Sequence, residues 1–155
     1  GISWKSPLMT AARLPNYTEI SDWKPLFSIP GVTFINLQST CFKNDLIKIK
    51  DESGVTVHNF DEIDHYDNLD EVAALSAALD ICVSVSTAVA TIAAAVGTPT
   101  KMLHRRQSSW NNILYTAQGP TVDVFEQNTW ETWEKAFESI AEDINLVAGQ
   151  NRLTV

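Results

Sequence analysis

Cysteine is scarce in this 155-residue chain: there are two, Cys41 and Cys82, far apart in sequence. Cys82 lies in the apolar run Leu79-Asp80-Ile81-Cys82-Val83 and reads as a buried free thiol, which points to a reducing, cytoplasmic compartment. No apolar run is long enough to cross a bilayer, and the first residues lack the basic and apolar regions of a signal peptide, so no membrane span is expected. Without a secretory signal, the sequon Asn16-Tyr17-Thr18 reads as a chance match. Basic residues are few, 11 against 19 acidic, giving a net charge of -8. Such a field repels nucleic acid and anionic membrane, and only His104-Arg105-Arg106 forms a local basic spot. The three histidines lack zinc spacing, and neither Gly-x-Ser-x-Gly nor a glycine-rich phosphate loop occurs. Metal and nucleophile chemistry therefore find no support, and no metal or resident cofactor is expected.

Apolar content is 45%, enough for one domain with a proper core over residues 1–155. The chain opens on the strand-like Gly1-Ile2-Ser3-Trp4 without an initiator Met, and reads as a piece of a longer protein whose N-terminal half lies outside it. Further strands are expected at Val32 to Leu37, Val55 to Val57, Ile81 to Val85, Pro99 to Leu103 and Val122 to Phe125. Helices are expected between them: Ser21 to Ser28, Lys43 to Glu52, a stretch capped by Asn68 and Glu71, and Thr87 to Val96. A last helix carries Trp130, Trp133, Phe137, Ile140, Ile144 and Val147 as one apolar stripe. Alternating strands and helices predict a Rossmann-like α/β fold, a parallel sheet of about six strands with helices on both faces.

In such a sheet ligands sit beyond the carboxyl ends of the strands, where strand order reverses. With the order 3-2-1-4-5-6, that place lies between the first and fourth strands, so Trp4-Lys5-Ser6 faces Ser84-Val85-Ser86-Thr87. Lys5 supplies a cation, and Ser86 and Thr87 supply hydroxyls at a helix start whose dipole favours an anion. The alanines behind them fit close packing, and a Ser or Thr at a helix start also serves simply as a cap. Gln38 and His58 end the second and third strands, where each is either a ligand contact or an ordinary edge residue. His104 and Arg105 are further anion ligands or partners of the acidic surface. The acidic stretch from Asp61 to Glu71 lacks calcium-loop spacing and reads as a solvated loop.

Gly1 to Ser6, Pro30 to Gln38, Leu69 to Asp80 and the run from Ile81 to Pro99 together resemble the carboxyl half of GT-B glycosyltransferases. The nearest likeness is to the heptosyltransferase group and to bacterial tetratricopeptide-linked glycosyltransferase-like proteins. The resemblance implies a donor-binding half that holds a nucleotide-diphosphate sugar across a cleft from the missing N-terminal half. It implies that Lys5 meets the diphosphate, that Ser86, Thr87 and Ala88 cradle it, and that Gln38 and His58 lie near the nucleotide. Stabilising the leaving diphosphate would be the main contribution of this half.

Two positions depart from that pattern, Ser86 where the family has Asp and Thr91 where it has His, and the segment His104 to Trp110 diverges as well. Neither substitute supplies a carboxylate or a titratable cation. The alternative they motivate is a non-catalytic binding or scaffold module of the same fold. A dinucleotide or flavin protein is more distant, because no glycine fingerprint follows the first strand.

Overall fold

The computed structural model describes residues 1–40, 42–106, 121–128 and 130–152. Strand β1 (Ile2–Ser3) leads through short 3-10 turns at Leu14–Asn16 and Ile20–Trp23 into α1 (Lys24–Phe27). There follow β2 (Phe34–Ile35), α2 (Lys43–Ser53), β3 (Val57–His58), α3 (Leu69–Ala77), β4 (Cys82–Val85) and α4 (Ala88–Ala95). The chain then runs through β5 (Thr100–Arg106), β6 (Val122–Asn128) and α5 (Glu134–Arg152). Cys41 and the divergent residues Gln107 to Trp110 lie outside the described residues.

Strands β1, β4, β5 and β6 form a four-stranded parallel sheet in the order β1-β4-β5-β6, while β2 and β3 form a separate parallel pair. The expectation of a single sheet of about six strands is thus corrected to four plus two. All six strands form, but β2 and β3 have two residues each, and the pair meets β1 through one parallel bridge, Ile2 with Asn36. The Leu37 amide donates to the Ile2 carbonyl at 3.0 Å on that edge of β1. On the opposite edge Ile2 pairs with Val83 and Ser3 with Ser84. The direction in which the chain adds strands therefore reverses between β1 and β4.

Alternation along the strands sorts side chains onto two faces. Ile2, Trp4, Val83, Val85 and Leu103 join Trp23, Leu26, Phe27, Phe137, Ile140 and Ile144 in the main core beneath α1 and α5. Trp23 and Phe137 meet with ring centroids 5.0 Å apart, and Phe27 stands edge-on to Phe34 at 5.3 Å, arrangements that suit the ring quadrupoles. On the other face Cys82, Leu37 and Ala93 form a smaller cluster with Leu75, Leu79 and Val89 from α3 and α4. The small residues of α4 are explained here: Ala90 and Ala93 are fully buried, so the helix lies close against the sheet. Gly97 ends α4 in the left-handed region at φ 88°, where a side chain would be strained. Burial pushes the Cys82 thiol up to about 11, so it packs as an uncharged small side chain.

The last helix begins later than its sequence pattern suggests. Asn128 still belongs to β6, and a turn follows in which the Glu131 amide donates to the Asn128 carbonyl and Glu131 Oε2 accepts from the Asn128 amide. Trp130 therefore precedes α5 and is 83% exposed, whereas Trp133 is 4% exposed. The inward stripe starts at Trp133, and Trp130 is not part of it. Val147 likewise faces outward, because the stripe leaves the core after Ile144. Among the described residues no helix is long and apolar enough to cross a membrane.

Candidate functional site

Two residues past the register pair Ser3 and Ser84, the chain reaches Lys5 beyond β1 and Ser86 beyond β4. The carboxyl ends of β1 and β4 thus bring Lys5 and the Ser86-Thr87-Ala88 turn to one edge of the sheet. The Ser86 amide donates to the Leu103 carbonyl at 3.0 Å, which prolongs the β4 ladder and fixes where the turn begins. Thr87 is the N-cap of α4, yet its side chain makes no bond to the first-turn amides. Its hydroxyl instead lies 3.4 Å from that of Ser84, so the opening of α4 is not closed by its own cap. Thr87 is half-buried and Ala88 exposed at this edge.

Lys5 is not a bare cation. Its ammonium lies 2.5 Å from Asp45 Oδ2, and the Trp4 indole donates to the same oxygen at 2.8 Å. Asp45 occupies the first turn of α2, where the helix dipole favours a carboxylate. Sequence reasoning passed over Asp45. The signal was available: an acidic residue in the first turn of a helix leaving β2, the strand expected beside β1.

Gln38 is fully buried and its side-chain amide is committed. Oε1 accepts from the Ser3 hydroxyl and the amides of Trp4 and Lys5, each at 3.1 Å, while Nε2 donates to the Lys5 carbonyl at 2.8 Å. Asn36 completes the junction by accepting from the Gln38 amide at 3.0 Å and donating to Asn59 Oδ1 at 2.8 Å. Gln38 therefore shapes the end of β1 from within. His58 sits at the end of β3 with an exposed side chain, and its carbonyl accepts from Asn36 at 2.8 Å. Two strand spacings, about 10 Å, separate β3 from β1.

Arg105 and His104 are drawn into the fold. Arg105 donates to the carbonyls of Pro15, Asn128 and Glu131 at 2.5 to 3.0 Å, and its guanidinium stacks 4.0 Å above the Trp133 ring. His104 is buried, which holds its pKa below the usual histidine value, against a weaker opposing effect of Glu126. Thr18 of the sequon is buried too, bonded to the Trp4 carbonyl and the Trp23 indole, so it is built into the core. Among the described residues no three or more His, Cys, Asp or Glu side chains converge as a metal site.

Comparison with known proteins gives one informative result. The chain is 35% identical over 143 residues to Protein FlbA of Caulobacter vibrioides, a match covering 91% of this chain and 24% of that protein. The chain thus spans about a quarter of the length of the curated relative it matches. No family model matches the chain, and no solved structure matches it. These findings overturn the expectation of a GT-B donor-binding half. The relative is named only as Protein FlbA, with no glycosyl transfer in its name, and nothing from the heptosyltransferase group or its relatives matches. A transferase role and a nucleotide-sugar donor are accordingly withdrawn. Gln38 holds the end of β1 through its side-chain amide, and His58 stands two strands away from Lys5.

Proposed function

We propose that this chain is a Rossmann-like binding domain that seats a small phosphorylated molecule beyond the carboxyl ends of β1 and β4. Support for the Rossmann-like reading comes from the parallel sheet, the β2–β3 pair on the far edge of β1, and the reversal of strand order between β1 and β4. In open α/β sheets that reversal is where ligands lie. Lys5 would supply the charge, Ser86 and Thr87 hydroxyl donors, and the amide of Ala88 a donor at the positive end of α4.

The observation that carries this reading is the state of Thr87. It is a capping residue whose hydroxyl makes no bond to the first-turn amides of α4, at the edge that Lys5 shares. The role is binding, with no reaction assigned. In a chain as long as Protein FlbA, such a domain would act beside other segments.

Calorimetric titration with inorganic pyrophosphate and with nucleoside diphosphates tests the reading. Saturable binding weakened about tenfold by both Lys5→Ala and Thr87→Ala is the expected result, since each substitution removes a charge-assisted or hydroxyl contact. Binding that ignores Thr87→Ala, or none in folded protein, would discard it.

A further inference from the structure

A cavity of about 230 Å³ opens at the carboxyl end of β1, on the face of the sheet opposite to α4. Met9, Leu14, Tyr17 and Ile20 supply apolar walls, and the ion pair of Lys5 with Asp45 forms a polar end. The loop that roofs it is fastened: Tyr17 Oη donates to the Leu8 carbonyl at 2.9 Å, the Thr18 amide donates to Trp4, and Arg105 holds Pro15. The cavity is therefore set by the fold.

Its size decides first. Drug-sized and nucleotide-sized ligands occupy pockets of roughly 300 to 1,000 Å³, so this one is too small for them. It offers the liquid volume of roughly eight waters, space for a compact ligand of about eight to twelve heavy atoms. Charge decides next. The Lys5 ammonium has three donor hydrogens, of which Asp45 takes one. Asp45 Oδ2 serves both Lys5 and Trp4, and Oδ1 has no partner among the described residues. Glu19, on the same wall, accepts from the Asp22 amide, and its charge adds a second carboxylate.

Inside the cavity, away from the start of α4, a simple anion would meet one cation and two carboxylates with no helix dipole to offset them, an unfavourable field. A ligand carrying both charges meets a partner for each. We infer that this cavity binds a compact zwitterion with an apolar side chain, of the α-amino acid class. Its carboxylate accepts from Lys5, its ammonium donates to Asp45 Oδ1 beside Glu19, and its side chain lies against Met9, Leu14, Tyr17 and Ile20. The site shares Lys5 with the phosphate reading but does not depend on it.

The test titrates L-leucine, L-methionine and L-phenylalanine into the folded chain up to about 100 mM, or to the solubility limit, tenfold above the Kd of about 10 mM that nine heavy atoms reach at about 0.3 kcal/mol per atom. One of them should saturate. Its N-acetyl and carboxamide derivatives, each lacking one charge, should bind at least tenfold more weakly. Asp45→Asn should weaken the amino acid about tenfold while leaving pyrophosphate binding equal or stronger, because Lys5 is released. Met9→Trp, on an exposed loop residue, should fill the cavity and abolish amino-acid binding with pyrophosphate unaffected. Absence of saturation by all three in wild-type protein with intact circular dichroism, or equal binding of the N-acetyl derivative, overturns the inference. Failure of pyrophosphate alone would leave it standing and strike only the phosphate site.

Discussion

Gln38 and Lys5 are joined twice: the Lys5 amide donates to Gln38 Oε1 at 3.1 Å, and Gln38 Nε2 donates to the Lys5 carbonyl at 2.8 Å. A side-chain amide here takes the place of a peptide group and carries the β1–β2 contact one rung beyond the backbone bridge at Ile2 and Asn36. The position of Lys5, and so of both candidate sites, rests on this pair.

Gln38→Met keeps the length of the side chain and removes its polar atoms. The amides of Trp4 and Lys5 would lose their shared acceptor in a buried setting, a cost of about 2–4 kcal/mol for two such groups. Urea unfolding measures it. A loss under about 0.5 kcal/mol would show that water replaces the amide freely.

Arg105→Lys tests the clamp between the Pro15 loop and the turn after β6. A lysine cannot reach three carbonyls at once or stack its charge flat on Trp133, so a loss of about 2–3 kcal/mol is expected despite the retained charge. Equal stability of the lysine variant would mean that charge alone matters there.

The two tryptophans of the turn before α5 should behave oppositely. Trp133→Ala removes a buried ring that packs with the main core and should cost about 3–5 kcal/mol. Trp130→Ala removes an exposed ring and should stay within about 0.5 kcal/mol. Comparing the unfolding midpoints of the two variants decides it.

Burial holds the pKa of His65 and His104 below the usual histidine value, so the unfolded chain binds more protons around and below about pH 6.5. Stability should therefore fall as pH drops below about 6.5, which denaturant unfolding between about pH 7 and 5 measures. An unchanged unfolding midpoint over that interval would show that neither imidazole is held neutral by the fold.

Much of the fold was legible because periodicity is local. Leu69 to Ala77 declares a helix through Asn68, whose side chain accepts from the Glu71 amide as the capping pattern suggests. Cys82 to Val85, fully buried, reads as a strand covered on both faces. The neighbours β1 and β4 did not follow from alternation alone; they rested on an assumed order, 3-2-1-4-5-6, which the β1–β4 pairing matches. Trp130 was misplaced because periodicity runs on through a turn: nothing in Trp130-Glu131-Thr132-Trp133 says that β6 extends to Asn128 and delays the helix.

The candidate site was legible only in part. Lys5 and the Ser86-Thr87-Ala88 turn could be brought together from strand order, a property of topology. Asp45 could not be matched to Lys5 from sequence, since the contact joins residues 40 positions apart through the side chains of two different elements. Gln38 looked like a residue at the end of a strand, and its burial became visible only when β1 and β2 met.

The sequence by itself determined the alternation of strands and helices, the small-residue face of α4 and the inward stripe from Trp133 to Ile144, because each depends on spacing along one element. Only the tertiary structure decided that the six strands divide into four and two, that Lys5 is matched by Asp45, and that an amphipathic cavity lies beside them. Those features depend on which hydrogen bonds and charges remain unmatched once distant segments have packed, and that balance is fixed by distances in space.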